Sequence, residues 1–266
     1  MKTKRRLDQL LVEQGYFDSR EKAKRAIMAG LVFSEQKRMD KPGANVSADI
    51  SITVKGNDNP YVSRGGLKLD KAIKVFNLKL DGKVIVDVGA STGGFTDCAL
   101  KHSAKLVYAV DVGYGQLAWS LRNDERVVNM ERTNFRHVKV EQFDPRPQVA
   151  VADASFISLK LLLPKIKEIL SDDGQVMALI KPQFEAGRER VGKKGVVRDK
   201  MVHIDVVKEV VDFAQQIGLG TIDINYSPIK GPEGNIEYLL LCGNSSPQKL
   251  EDDFIEEIIN LAHSSV

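Results

Sequence analysis

From residue 84 onward, short apolar runs alternate with amphipathic stretches. The runs at residues 84–88, 106–110, 127–130, 149–152 and 176–180 are mostly apolar and rich in β-branched side chains. Such runs predict strands buried on both faces. Helical stretches fall between several of them, notably residues 158–170 and 201–217. The alternation predicts a parallel sheet with helices on both faces. Two later runs, residues 221–226 and 237–242, flank a turn-rich segment at 227–235. That segment can close a hairpin but has no room for a crossover helix, so the last pair is expected to be antiparallel.

Before residue 60 the pattern is different. Leu7, Leu10 and Leu11 recur on one helical face, and Gly15 stops that helix. Ser19 is placed as the N-cap of a second helix, with Lys22 where a capping box would carry Glu. Ala23, Ala26 and Ile27 face inward on it, while Arg20, Lys22, Lys24 and Arg25 face out. Gly30 ends the helix, and β-prone pieces follow at residues 31–33 and 50–54. The turn-rich residues 56–60 mark a boundary. The expected division is a small α+β domain at residues 1–58, a linker at 59–66, and a large α/β domain at 67–266 that opens with a helix at 68–76.

Composition narrows the function classes. A chain of 266 residues can hold one large domain and one small one, and 28% charged residues suits a soluble protein. No apolar run approaches the ~18 residues that would span a bilayer. The basic N-terminus runs into an amphipathic stretch rather than a signal-peptide core. Cys98 and Cys242 lack metal or redox spacing and are expected in the core; His102, His137, His203 and His263 are scattered. The cytoplasm is the expected compartment, and neither a membrane nor a stable protein partner is implied. Charge is uneven: residues 1–60 carry 12 Lys and Arg against 8 Asp and Glu, and the rest carries 27 against 28. The excess points to a polyanion-binding module on a near-neutral domain. Arg5 and Arg6 extend the basic helix face. A solvated charged face is the bland alternative.

Candidate chemistry gathers at strand ends. The first strand of the large domain runs into Asp87-Val88-Gly89-Ala90-Ser91-Thr92-Gly93-Gly94-Phe95-Thr96. Glycines there let the backbone turn tightly and approach a ligand. The loop fits neither G-x-G-x-x-G nor the P-loop. The second strand ends in Asp111, placed to accept hydrogen bonds from a ribose diol. Loop and acid together indicate a nucleoside cofactor. Asp153 and Lys181 end apolar runs, Glu237 begins one, and Lys68 follows the turn at Ser63 to Gly66. In a parallel sheet Asp153 and Lys181 share the carboxyl edge, where ligands bind in open α/β sheets; Glu237 joins them there in a sheet whose last strand is antiparallel. Lys68 comes from outside the sheet, and its arrival depends on how Ser63 to Gly66 turns. Two cations and two anions in one pocket suit the removal of a proton from an alcohol. After Lys181-Pro182, Arg188, Arg190, Lys193, Lys194, Arg198 and Lys200 form a basic loop: a solvated surface loop, or a clamp on an acidic substrate.

Three resemblances sharpen this reading. Arg6-Leu7-Asp8-Gln9-Leu10-Leu11, residues 19–27 and Gly30-Leu31-Val32 resemble the S4 RNA-binding domain, though Val32-Phe33-Ser34 stands where that family often has Val-Asn-Gly. Residues 87–97 resemble the S-adenosylmethionine loop of FtsJ-like ribose 2′-O-methyltransferases. Residues 62–69, 153–158 and 180–185 look like the TlyA branch of that family, formerly labelled haemolysins. The resemblance implies a seven-stranded, Rossmann-like class I methyltransferase sheet whose last strand is antiparallel and inserted beside the fifth. It implies a Lys-Asp-Lys-Glu tetrad at Lys68, Asp153, Lys181 and Glu237. The cofactor implied is S-adenosylmethionine, near Gly89, Ala90, Ser91, Gly93 and Gly94, with Asp111 on the ribose and Asn134 on the adenine side. The substrate implied is ribosomal RNA or a ribosomal subunit, methylated at a cytidine 2′-hydroxyl. Arg5, Arg6, Arg20, Lys22, Lys24, Arg25, Arg64, Arg188, Arg190, Lys193 and Lys194 would hold it. Lysine is a poor base at a free pKa of ~10.4; a second cation and partial desolvation favour the neutral amine. The alternatives are a non-catalytic RNA-binding or ribosome-assembly factor and a membrane-active haemolysin.

Overall fold

The computed structural model describes residues 4–17, 19–34, 37–48, 50–55, 59–192, 194–244, 246 and 248–266. The boundary turn at residues 56–58 and the basic-loop residue Lys193 lie outside them.

The N-terminal module holds β1 (Lys4–Arg6), α1 (Leu7–Glu13), α2 (Arg20–Met28), β2 (Val32–Ser34), β3 (Lys37–Arg38), β4 (Asn45–Ser47) and β5 (Thr53–Val54). The Ser19 side chain accepts from Lys22 N–H and caps α2 as expected. Leu7, Leu10, Leu11, Ala23, Ala26 and Ile27 pack together and exclude water from a small core. Each large side chain there adds roughly 1.5–3 kcal/mol by burial. The strands differ from expectation: the piece at 31–33 begins one residue later, and only Thr53–Val54 of residues 50–54 forms a ladder.

The large unit opens with α3 (Gly66–Val75). Then come β6 (Val84–Val88), α4 (Gly94–Lys101), β7 (Leu106–Val110), α5 (Trp119–Arg122), β8 (Val127–Met130), β9 (Val149–Ala152) and α6 (Leu163–Ile169). The chain ends with β10 (Gln175–Ile180), α7 (Pro182–Glu185), α8 (Lys200–Gln216), β11 (Gly220–Tyr226), β12 (Tyr238–Gly243) and α9 (Asp252–Ser265). The sheet order is β11-β12-β10-β9-β6-β7-β8, and β12 is antiparallel to both of its neighbours. Within β6 the two-residue strand period sends Val84, Val86 and Val88 into the core under α6, α8 and α9. Ile85 and the buried Asp87 face the side covered by α3 and α4. The expected helix at 158–170 is a 3₁₀ turn, Leu159–Leu161, followed by α6 with Pro164 in its first turn.

Register sets the site. Ile180 of β10 faces Tyr238 of β12, so Lys181 and Glu237 leave adjacent strands at one edge. Val88 of β6 faces Ala152 of β9, so Gly89 and Asp153 leave at the same edge.

Candidate active site

Lys68 reaches that edge from α3. The preceding linker is tied to the large unit at several points. Tyr61 Oη donates to Asp70 of α3 at 2.9 Å, Val62 N–H donates to Asp97 of α4 at 2.8 Å, and Lys101 donates to the Pro60 carbonyl. Asp70, Cys98 and His102 lie close together here. The Asp70 oxygens already take bonds from Tyr61, Lys74 and His102, which makes the group an anchor for the linker.

The four residues meet. Lys68 Nζ donates to Glu237 Oε2 at 2.6 Å and to Asp153 Oδ2 at 3.1 Å. Lys181 Nζ lies 2.5 Å from Asp153 Oδ1 and donates to Ser155 Oγ at 3.0 Å. The Lys181–Asp153 approach is an ion pair without the alignment of a hydrogen bond. Lys68, Lys181 and Glu237 are buried. Burial opposes the Lys68 ammonium, but Asp153 and Glu237 outweigh it and hold its pKa above the usual lysine value. Burial likewise opposes the Asp153 carboxylate, yet the two ammonium groups hold its pKa below the usual range. The environments separate the lysines: Lys68 is gripped by two carboxylates, Lys181 by one carboxylate and a neutral hydroxyl.

A cavity of about 260 Å³ joins this tetrad to the glycine loop, lined by Gly89, Ala90, Ser91, Thr92 and Gly94. Gly89 takes φ +86°, and a Cβ there would sit 3.1 Å from the Asp153 carbonyl. Gly94 has a different reason to be glycine: a Cβ would meet Ser63 Oγ of the linker at 2.2 Å. Gly93 does not line the cavity; its close neighbours are Leu117 and Leu121. Asp111 accepts from Ser91 N–H at 2.8 Å and Gly113 N–H at 2.6 Å, which braces the loop, and is not itself among the lining residues. Asn134 caps a 3₁₀ turn through Arg136 N–H and lies outside the lining.

Asp87 is a site residue that the sequence reading missed. It borders the cavity and is fully buried. Its Oδ2 accepts from Thr96 N–H and Oγ1 at 3.0 and 2.7 Å, while Oδ1 has no hydrogen-bond partner among the described residues. Burial pushes its pKa up to about 7. An orphaned acceptor on the wall of a cavity fits a ligand that brings its own donor.

Residues 61–244 match the family described as FtsJ-like methyltransferase. The chain belongs to the FtsJ-like methyltransferase family. Residues 5–49 match the S4 domain. The chain is 53% identical over 268 residues to YqxC of Bacillus subtilis, whose rRNA methyltransferase name is provisional, covering 99% of this chain and 95% of that one. It is 41% identical over 265 residues to the 16S/23S rRNA (cytidine-2′-O)-methyltransferase TlyA of Mycobacterium tuberculosis, covering 99% of each. A solved structure from Streptococcus thermophilus carrying a provisional hemolysin label is 48% identical, with a TM-score of 0.81, and the match covers 100% of this chain and 98% of that one.

Around this FtsJ-like core the candidate cations fall into groups. In the S4 domain, Arg6 and Arg20 converge on the buried Asp8: Arg6 binds both its oxygens at 3.0 Å, and Arg20 binds one at 2.9 Å. These bonds hold the Asp8 carboxyl well below the usual range. Arg5 lies 3.9 Å from Glu13 and Lys24 3.9 Å from Glu21, while Lys22 and Arg25 are exposed on α2. Arg64 donates to the Lys230 carbonyl at the cavity rim. Arg188 and Lys194 are exposed. Arg190 turns toward α8, 3.5 Å from Asp205 and 3.6 Å from Glu209. Trp119 is 70% exposed, beside a cleft between the S4 and FtsJ-like parts. Phe156 has φ +62°, is 91% exposed, and lies 5.2 Å from the ring of Phe184 beside Lys181.

Proposed function

We propose that this protein uses S-adenosylmethionine to methylate a ribose 2′-hydroxyl, that of a cytidine, in ribosomal RNA, in the cytoplasm. The observation that carries the reading is the assembled Lys68–Asp153–Lys181–Glu237 tetrad sharing one cavity with the glycine loop. The names of the TlyA relatives favour the same chemistry. On this reading residues 1–58 grip RNA, residues 67–266 carry the chemistry, and 59–66 link them.

Gly89, Ala90, Ser91 and Gly94 would hold the cofactor, with Asp87 Oδ1 accepting from a donor on it and Asp111 shaping the loop. Bound there, S-adenosylmethionine supplies an electrophilic methyl group for in-line transfer. Lys68, fixed between two carboxylates, stays a cation. Lys181, as the neutral amine, donates to Ser155 Oγ, and its lone pair takes the 2′-hydroxyl proton. Asp153 and Glu237 balance the charge, and much of the rate comes from holding the reacting groups in line. Phe156 presents a ring face on which a base can stack. The S4-domain cations and Arg64 contact phosphates, which positions RNA without reading sequence.

Incubation with ribosomal subunits and radiolabelled S-adenosylmethionine tests the reading. Label should enter RNA and survive base removal, as ribose methylation does. RNA binding without label incorporation would instead favour an assembly factor. Calorimetry that found no S-adenosylmethionine binding, even with RNA present, would sink the cofactor assignment.

A further inference from the structure

Two buried polar side chains near the tetrad take no part in the methyl-transfer chemistry. Asn235 is 1% exposed and stands two residues before Glu237; His203 on α8 is fully buried. Both reach the same stretch of the basic loop. Asn235 Oδ1 accepts from Val197 N–H at 3.0 Å, and its Nδ2 donates to the Gly195 carbonyl at 2.8 Å. The Val197 carbonyl lies 3.0 Å from His203 Nε2, and Tyr238 Oη lies 2.8 Å from His203 Nδ1. A carbonyl can only accept, so Nε2 carries the hydrogen and Nδ1 accepts from Tyr238. The neutral ring satisfies both partners, and burial lowers the His203 pKa, which favours that form.

These bonds connect the loop to the pocket wall. Val197 is held at both its N–H and its carbonyl. The Asn235 carbonyl accepts from Gly231 N–H at 2.9 Å, and Gly231 lines the cavity. Tyr238 begins β12 directly after Glu237. The loop is also closed on itself, by Gly192 N–H to the Val196 carbonyl at 3.2 Å and Gly195 N–H to the Gly192 carbonyl at 2.8 Å. That closed turn presents Lys194 to solvent, and Arg188 flanks Phe156 beside Lys181. A loop meant only to be solvated has no need of two buried polar side chains dedicated to its backbone.

We propose that Asn235 is a positioning residue for the RNA substrate, fixing the basic loop of residues 188–198 against the pocket wall, with His203 as the second tie. This rests on the RNA reading above. Replacing Asn235 with alanine leaves the buried Val197 N–H without its partner and releases the carbonyl of the exposed Gly195, which favours an open loop.

The test compares Asn235→Ala and His203→Gln with wild type in two assays. Limited trypsin digestion reads loop anchoring without reference to any substrate. Cleavage within residues 188–198 should speed up roughly tenfold, as expected for the loss of one buried hydrogen bond. Methylation kinetics should show the RNA KM rising by roughly the same factor, with kcat at saturating RNA and the S-adenosylmethionine Kd little changed. Asn235→Asp, which keeps an acceptor for Val197 N–H, should fall between and serves if the alanine variant does not fold. Unchanged cleavage would overturn the anchoring claim. Faster cleavage with a steady RNA KM, or with a loss confined to kcat, would overturn the substrate role. If wild type methylates no RNA while the variants are still cut faster, the functional reading fails and the anchor stands.

Discussion

Replacing Lys68 with methionine keeps the volume of the side chain and removes the cation shared by two carboxylates. Glu237, with 1% of its side chain exposed, would lose its partner at 2.6 Å, and Asp153 its partner at 3.1 Å. Lys181 would still neutralise Asp153. One buried carboxylate is thus left uncompensated, which costs about 3–5 kcal/mol. For a chain of this size each kcal/mol lowers Tm by roughly 2–4 °C, so the expected fall is about 6–20 °C. The deficit should depend on pH. In the wild type the lowered pKa of Asp153 contributes stability above its unfolded value of ~3.9, lost as pH falls through the lower folded value. In the variant, protonating the carboxylate left without a cation removes the uncompensated charge, so the gap to wild type should be smaller in melts at about pH 5 than at about pH 7.5. Calorimetric melts at both pH values make the measurement. The double variant Lys68→Met/Glu237→Gln should regain much of the lost stability while remaining inactive. A deficit below about 1 kcal/mol, the same at both pH values, is what exposed ion pairs give. That result would refute the view that the four charges form one buried unit.

Other perturbations separate the parts. Gly94→Ala should lower both stability and cofactor affinity, because the new methyl group lands on Ser63 Oγ and 2.9 Å from Gly66 N; wild-type calorimetry for both would remove the linker from the cofactor loop. Asp8→Asn should weaken RNA binding about equally across sequences and flatten its salt dependence, since Arg6 and Arg20 lose the group that aims them; an unchanged salt slope would count against it. His203 makes the folded state lose stability as pH falls below its ordinary value of ~6.5, because the unfolded chain takes up a proton that the buried ring resists. His203→Gln should therefore show a shallower acid-side decline in urea titrations, and an identical slope would contradict the assignment.

The buried strands were legible because each is a short apolar run, and the antiparallel pairing of β11 with β12 was legible because the segment at 227–235 is too short for a helix; the insertion of β12 beside β10 came from the family resemblance. Once direction was known, Asp153, Lys181 and Glu237 had one edge in common. The misses have physical causes. Asp87 sits inside an apolar run and so reads as strand; only the fold reveals one oxygen satisfied by Thr96, the other buried without a partner, and the residue bordering the cavity. Asp8 looked like one acid among many, because Arg20 reaches it from the next helix. Lys68 depended on the side-chain bond Tyr61–Asp70 and the backbone-to-side-chain bond Val62–Asp97, which no periodicity encodes. Gly93 and Gly94 read alike in sequence, yet one makes room for leucines and the other for the linker. Arg190 lay in a basic cluster, but the acids of α8 draw it away from the pocket.

Ribose methylation mapped nucleotide by nucleotide shows whether Lys181 carries the methyl transfer. Ribosomal RNA lacking this modification would be incubated with S-adenosylmethionine and either the wild type or Lys181→Ala. New 2′-O-methylcytidine is expected with the wild type and none with the variant, at equal folding and equal S-adenosylmethionine affinity. A folded Lys181→Ala protein that still methylated the same ribose would contradict that role.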